Sequence, residues 1–141
     1  MDRAARLFEI ALAALMLVLT MPLLLAAAFA IWLGDGGAPI YLAPRVGRSG
    51  SDFHMLKLRT MVPEADRLVP EADRLVPEAD RLGGQLAPVG DPRITTVGTW
   101  LRRWKLDELL QLWNVLRGEM RLVGPRPDVR EGVALYSPEE L

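Results

Sequence analysis

"IALAALMLVLTMPLLLAAAFAIWL", residues 10–33, holds no charged side chain, and Thr20 is its one polar residue. As a straight helix at about 1.5 Å per residue the run would reach roughly 36 Å, enough to cross a hydrocarbon layer of about 30 Å. A chain of 141 residues would rarely bury such a helix on every side. The stretch therefore reads as a membrane segment. A cleaved leader peptide fits less well, because the apolar run is too long and no clean small-residue cleavage site follows it.

Pro22 stands near the middle of the run. Proline removes a backbone donor and crowds the preceding turn, which predicts a kink or break there. Two arrangements stay open on these grounds: a kinked spanning helix, or a re-entrant segment that enters and leaves on one face. Arg3 and Arg6 precede the run and Arg45 and Arg48 follow it. Basic residues favour the cytoplasmic side, and having them at both ends is what a re-entrant segment would show.

Outside this segment the composition excludes several classes. A formal net charge of −1 leaves no general nucleic-acid footprint. With no cysteine and a single histidine, His54, neither a disulfide framework nor a thiolate or histidine-rich metal site is available. Any metal should be a hard cation held by oxygen.

"GDGGAP" marks a turn, after which "IYLAPRVG" reads as a strand and "FHMLKLRTM" as a second short extended segment that brings Lys57 and Arg59. "RITTVGTWLRRWKLDELLQLWNVLRGEM" is the strongest helical region, with Leu106, Leu109, Leu110, Trp113 and Leu116 as its apolar stripe and Gly118 as its stop. "MRLVG" reads as a further short strand and "PRP" as a rigid turn. The fold class expected is α+β: a membrane-associated segment, residues 1–36, then a small, mainly helical domain with short strands, residues 37–141.

The adjacent acids Asp107 and Glu108 stand where the amphipathic helix would begin. Acids are favoured in the first turn of any helix, with no catalytic role required. The same dipole would keep Asp107 ionised as a nucleophile or metal ligand. Arg102, Arg103 and Lys105 precede the pair and Arg126 follows, and guanidinium groups bind phosphate oxygens bidentately. Two acids among cations beside a membrane segment suit phosphoryl transfer with Mg²⁺, although a solvated charged face would look similar.

The longer strings carry more. "KLDELLQLWNVLRGEMRLVGPRP", together with "ARLFEIALA", "PRVGRSGSDFHMLKLRTM" and "GDPRITTVGTWLRR", resembles the bacterial sugar transferases, the monotopic phosphoglycosyl transferases. The resemblance implies a catalytic part on the cytoplasmic face of the bacterial inner membrane. It would move a sugar-1-phosphate from a UDP-sugar to polyprenyl phosphate and so open exopolysaccharide, O-antigen or glycan assembly. By the same resemblance Asp107 would form a covalent phosphosugar intermediate, and Glu108 would assist with Mg²⁺, the implied cofactor. Arg102 and Arg126, with Pro125 and Pro127 fixing the latter's loop, would hold phosphate, and Lys57 and Arg59 would contribute to substrate binding. Pro22 matches the helix-breaking proline of the family's re-entrant segment, which favours that arrangement over a span. Met21 and Glu9 are mild departures from the family pattern. Partners implied are the UDP-sugar, polyprenyl phosphate and membrane lipid, with no nucleic acid; a homodimer is compatible with the sequence but not specified by it. The family pattern continues past "LYSPEEL", so the catalytic domain is expected to be incomplete at its C-terminus.

Between these strings lie three perfect copies of VPEADRL, Val62–Leu68, Val69–Leu75 and Val76–Leu82. Solenoid units usually exceed 20 residues because each must bury a face. Pro63, Pro70 and Pro77 would interrupt a continuous helix; short helical turns opened by each proline are expected instead. Fourteen extra loop residues cost about 1 kcal/mol of closure entropy, so the repeat reads as a tolerated insertion. The alternative reading of the whole is a non-catalytic membrane-anchored interaction protein, or an inactive copy of the transferase.

Overall fold

The structure, a computed structural model, describes residues 3–47, 50–63, 65, 91–124 and 127. The repeat lies outside the described residues apart from Val62, Pro63 and Ala65, as do Pro125 and Arg126.

Helix α1, Arg3–Asp35, contains the whole apolar run, with Pro22 inside it. Of the kink or break expected at Pro22, the break does not occur: α1 continues through it as one helical element. Proline's fixed φ of about −65° already suits a helix, so the ring deletes one hydrogen bond without expelling the chain. Leu17 and Leu24 are buried on either side of it, which holds both halves in one element. Thr20 Oγ1 donates to the Met16 carbonyl at 2.8 Å, a side-chain bond that Ser and Thr commonly make one turn back in helices.

Strands β1, Ile40–Val46, and β2, Asp52–Leu58, form an antiparallel hairpin in which Ile40 faces Leu58 and Val46 faces Asp52. Pro44 is accommodated because, among the described residues, β1 pairs with β2 alone. The long helical region predicted from the sequence divides. Helix α2 is Thr96–Arg103, a 3₁₀ turn covers Leu106–Glu108, and α3 is Gln111–Arg117. The division falls at Lys105, whose φ of 57° puts it in the left-handed region, where a continuing right-handed helix is impossible. Gly118 ends α3 as expected, with φ 83°. The N–H of Glu119 donates to the Asn114 carbonyl at 3.0 Å, and that of Gly118 to Asn114 and Val115, a Schellman closure. The strand expected at "MRLVG" is absent: residues 120–124 are irregular.

Ala13, Leu17, Leu24, Ala27 and Ile31 form one buried stripe of α1, packed with Leu58, Leu101, Leu112 and Val115. Their spacing of four, seven, three and four residues is one helix face. The remaining faces leave Leu7, Phe8, Val18, Leu19, Leu25 and Leu33 exposed. The most apolar window of α1 has a mean hydropathy of 2.5 with 22% of it buried inside the protein, and the helix is long and apolar enough to cross a membrane. A soluble core helix would be mostly covered; this one is not.

Both ends of α1 are fastened to the same body. Arg6 Nη2 donates to the Val115 carbonyl at 2.6 Å, on the last turn of α3. At the other end Asp35 accepts from Arg59 Nη2 at 2.5 Å and Nη1 at 2.8 Å.

Candidate active site

The site is framed by the close approach of α2 to the segment after β2. Thr95 caps α2, its hydroxyl accepting from the Gly98 N–H at 2.9 Å. The Thr95 N–H and hydroxyl both donate to the Thr60 carbonyl, at 3.0 and 3.3 Å. A Cβ on Gly98 would lie 2.0 Å from the Thr60 carbonyl oxygen, so only glycine permits the contact. Four residues along, Arg102 Nε donates to the Thr60 hydroxyl at 2.8 Å. The guanidinium is thereby oriented before any ligand arrives.

Asp107 and Glu108 lie in the 3₁₀ turn, not in the first turn of a long helix. Asp107 is buried and its Oδ1 has no hydrogen-bond partner. Burial pushes its carboxyl above the usual range; the neighbouring Glu108 pushes the same way, while Lys57 and Arg102 oppose them. The long helix whose dipole was expected to act on Asp107 does not begin there: the acid sits in a three-residue 3₁₀ turn ahead of α3. The electrostatic neighbours are two side chains expected in the site, Lys57 and Arg102. Gln111 Nε2, on the first turn of α3, is a second buried polar atom without a partner.

The donor set fits one kind of metal. No group of three or more His, Cys, Asp or Glu that could hold an ion occurs among the described residues. Mg²⁺ takes one or two carboxylates and completes its shell with water and substrate phosphates. Asp107, with its unpartnered oxygen, and the adjacent Glu108 suit such an ion arriving with a diphosphate, and do not suit a permanently caged one.

Other expected site residues are placed differently. Arg59 does not stand free to receive phosphate: besides its two bonds to Asp35, its Nε donates to the Ala38 carbonyl at 2.7 Å. It is a fastening at the end of α1. Pro127 is partly buried, while Arg126 and Pro125 lie outside the described residues. The apolar stripe is also revised. Trp113 is exposed, and Leu112 and Val115 are the buried apolar members of α3.

Sequence reading missed Asn114, fully buried on α3. Its Oδ1 accepts from the Leu56 N–H at 3.0 Å, and its Nδ2 donates to the His54 carbonyl at 2.8 Å and to Glu119 at 2.6 Å. One amide therefore supplies β2 with the donor and acceptor that a neighbouring strand would offer, and seats α3 beside the strand carrying Lys57. The signal was present: a lone amide between Leu112 and Val115.

The bacterial sugar transferase family model matches residues 1–140. The chain belongs to the bacterial sugar transferase family. Among its relatives, the exopolysaccharide production protein ExoY of Sinorhizobium fredii is 40% identical over 132 residues, covering 93% of this chain and 58% of the relative. The UDP-glucose:undecaprenyl-phosphate glucose-1-phosphate transferase of Caulobacter vibrioides is 44% identical over 138 residues, 96% of this chain and 46% of that protein. The UDP-galactose-lipid carrier transferase of Erwinia amylovora is 42% identical over 133 residues, 94% of this chain and 28% of that protein. This sugar transferase chain thus spans less than two thirds of the length of these relatives.

Proposed function

We propose that this protein transfers a sugar-1-phosphate from a UDP-sugar to undecaprenyl phosphate, through a phosphosugar bound covalently to Asp107. The observation that carries the reading is the buried, unpartnered Oδ1 of Asp107 within the Asp-Glu pair of a family whose members include named sugar-phosphate transferases. A buried carboxylate oxygen left without a partner costs stability, and such a cost is common where a reactive group must stay available.

A carboxylate oxygen of Asp107 attacks the phosphorus bonded to the sugar. The P–O bond to UMP breaks and UMP leaves with the electron pair. An oxygen of the polyprenyl phosphate then attacks the same phosphorus, and the Asp107–phosphorus bond breaks, regenerating the carboxylate. Burial makes Asp107 more basic, and hence more nucleophilic, than a solvated carboxylate, while Lys57 and Arg102 offset the repulsion of the incoming anion. Arg102, oriented by Thr60, is suited to a phosphate oxygen. Mg²⁺, when bound by Asp107 and Glu108, supplies charge neutralisation of the diphosphate.

The fastening of both ends of α1 to one body supports a helix that dips into the bilayer from one face rather than spanning it. With the catalytic part on the cytoplasmic face of the inner membrane, both substrates are within reach. The test is UMP release by the chain in nanodiscs with Mg²⁺, polyprenyl phosphate and a panel of UDP-sugars. Release should vanish in Asp107→Asn, and intact-mass measurement without acceptor should show one phosphosugar added to the wild type. Release that survives Asp107→Asn would remove Asp107 from the chemistry.

A further inference from the structure

Among the described residues, two buried side-chain polar atoms have no hydrogen-bond partner: Asp107 Oδ1 and Gln111 Nε2. They are of opposite kind, since the carboxylate oxygen accepts and the amide nitrogen donates. Buried polar atoms are nearly always bonded, so the fall of both exceptions on one short stretch of chain asks for a common cause. Resting on the transferase reading above, we propose that Gln111 is a further catalytic residue: its Nε2–H donates to a non-bridging oxygen of the phosphoryl group while that group is bonded to Asp107.

The backbone sets the carboxamide over the acidic pair. From Leu106 to Arg117 the chain winds in right-handed turns, first 3₁₀ and then α. In a 3₁₀ wind, side chains three residues apart eclipse; in an α wind, those four apart adjoin. Gln111 stands three residues after Glu108 and four after Asp107, so one acid or the other lies directly beneath it under either wind. Gln111 also lines, together with Glu108, a cleft of about 200 Å³. The carboxamide therefore borders both the buried nucleophile and space that a substrate can enter.

An amide nitrogen offers hydrogens and no available lone pair, so Nε2 cannot ligate Mg²⁺ and selects an oxygen acceptor. It makes no bond to Asp107 Oδ1 either, which leaves the nucleophile free. As the Asp107–phosphorus bond forms, the P–O bond to UMP breaks and UMP leaves with the electron pair. The phosphoryl oxygens are thereby drawn to the carboxylate that Gln111 overlies. A donor that finds its acceptor only at that moment lowers the barrier without tightening substrate binding. Its neutrality suits the place. Lysine or arginine would pair with the resting Asp107 carboxylate, and a third acid would repel the diphosphate. Gln111 gives and takes no proton.

The experiment compares the full chain in nanodiscs with Gln111→Met, which keeps the side chain's length without the donor, and Gln111→Glu, which exchanges the donor for an acceptor. Each receives Mg²⁺ and an equal mixture of UDP-glucose, UDP-galactose and UDP-N-acetylgalactosamine. Intact mass follows the phosphosugar adduct without acceptor; UMP release with undecaprenyl phosphate then gives kcat and KM for the donor used best. Both variants should form the adduct and turn over about a hundredfold more slowly, as for the loss of one donor to a developing oxyanion. KM for the donor should change less than about twofold. Gln111→Met should melt no lower than the wild type, because it removes an unpaired buried donor. Adduct formation at the wild-type rate in Gln111→Met overturns the proposal. A raised KM with kcat unchanged also overturns it, making Gln111 a ground-state contact. So does a Gln111→Met melt well below the wild type, which would make the carboxamide part of the packing. A wild type that forms no adduct is a separate failure: it defeats covalent transfer itself, and the part of Gln111 in it.

Discussion

Arg102 reaches back across the fold to the hydroxyl of Thr60, a 2.8 Å bond between residues 42 positions apart. That bond exists because Gly98, one helical turn before Arg102, lets α2 touch the Thr60 backbone. Gly98→Ala would drive a methyl into the Thr60 carbonyl, and neither partner is the free end of a flexible side chain. The expected cost is about 3 kcal/mol or more, within the upper range for overpacking. Urea unfolding would measure it, and sugar-phosphate transfer should fall beyond the loss of folded protein because Arg102 loses its support.

Asn114→Ala removes three hydrogen bonds at once and strands the Leu56 N–H, the His54 carbonyl and the Glu119 carboxylate. A loss of about 2–4 kcal/mol is expected. Asn114→Asp should fare no better, because it places a second carboxylate against Glu119 and deletes the donor to His54. A melting curve for Asn114→Asp matching the wild type would show that the amide does not join α3 to β2.

Asp107→Asn should separate stability from activity. A buried carboxylate with a raised pKa destabilises the fold once pH rises above its unfolded value, because ionisation is easier in the unfolded chain. Replacing it with a neutral amide is expected to gain about 1 kcal/mol at pH 7.5 and nothing at pH 4, while transfer disappears. Calorimetry at the two pH values reads this directly.

Asp91 shows the opposite sign. Its carboxylate is held below the ordinary range, chiefly by hydrogen bonds from the Arg93 side chain and also by the Arg93 N–H. A depressed carboxylate contributes stability above its unfolded pKa of about 3.9 and loses it as pH falls through the lower folded value. The wild type should therefore exceed Asp91→Asn by about 1–2 kcal/mol at pH 6, with the gap closing below pH 4. A gap constant from pH 6 to pH 2 would rule out the ion pair as its source.

The same region governs the insertion. Met61 pairs with Ile94, the Val62 N–H donates to Arg93 at 2.9 Å, and the Thr95 N–H donates to Thr60 at 3.0 Å. The two ends of the inserted segment are thus closed on one another irrespective of its length. Deleting residues 69–82, two copies of the heptapeptide, should change stability by less than about 1 kcal/mol and leave transfer unaltered. A deletion that abolishes transfer while preserving the melting temperature would give the repeat a function.

What could be read from the sequence depended on whether its cause was local. The apolar run of α1, the two strands and the Gly118 stop are each encoded within a few neighbouring residues. Lys105 broke the long helix with no glycine or proline to announce it. The 3₁₀ turn at Leu106–Glu108 winds more tightly than an α-helix, so the phase changes again before α3 begins at Gln111, which is why counting from Leu106 put Trp113 inside and missed Leu112 and Val115. The dyad was visible as a pair of acids, but its burial was not. Arg59 looked like a phosphate ligand because nothing in the sequence places Asp35, 24 residues earlier, beside it. "MRLVG" had strand-like residues and found no strand to pair with.

The stripe Ala13–Ile31 is half of the core against which Leu58, Leu101, Leu112 and Val115 pack, so the membrane segment is not an interchangeable tether. Those four residues have no complete core to enter until α1 is in place. Replacing α1 with a generic hydrophobic helix would take away five of the nine buried residues of this core, and solvents harsh enough to strip α1 from its partners would unfold the residues that pack on it as well.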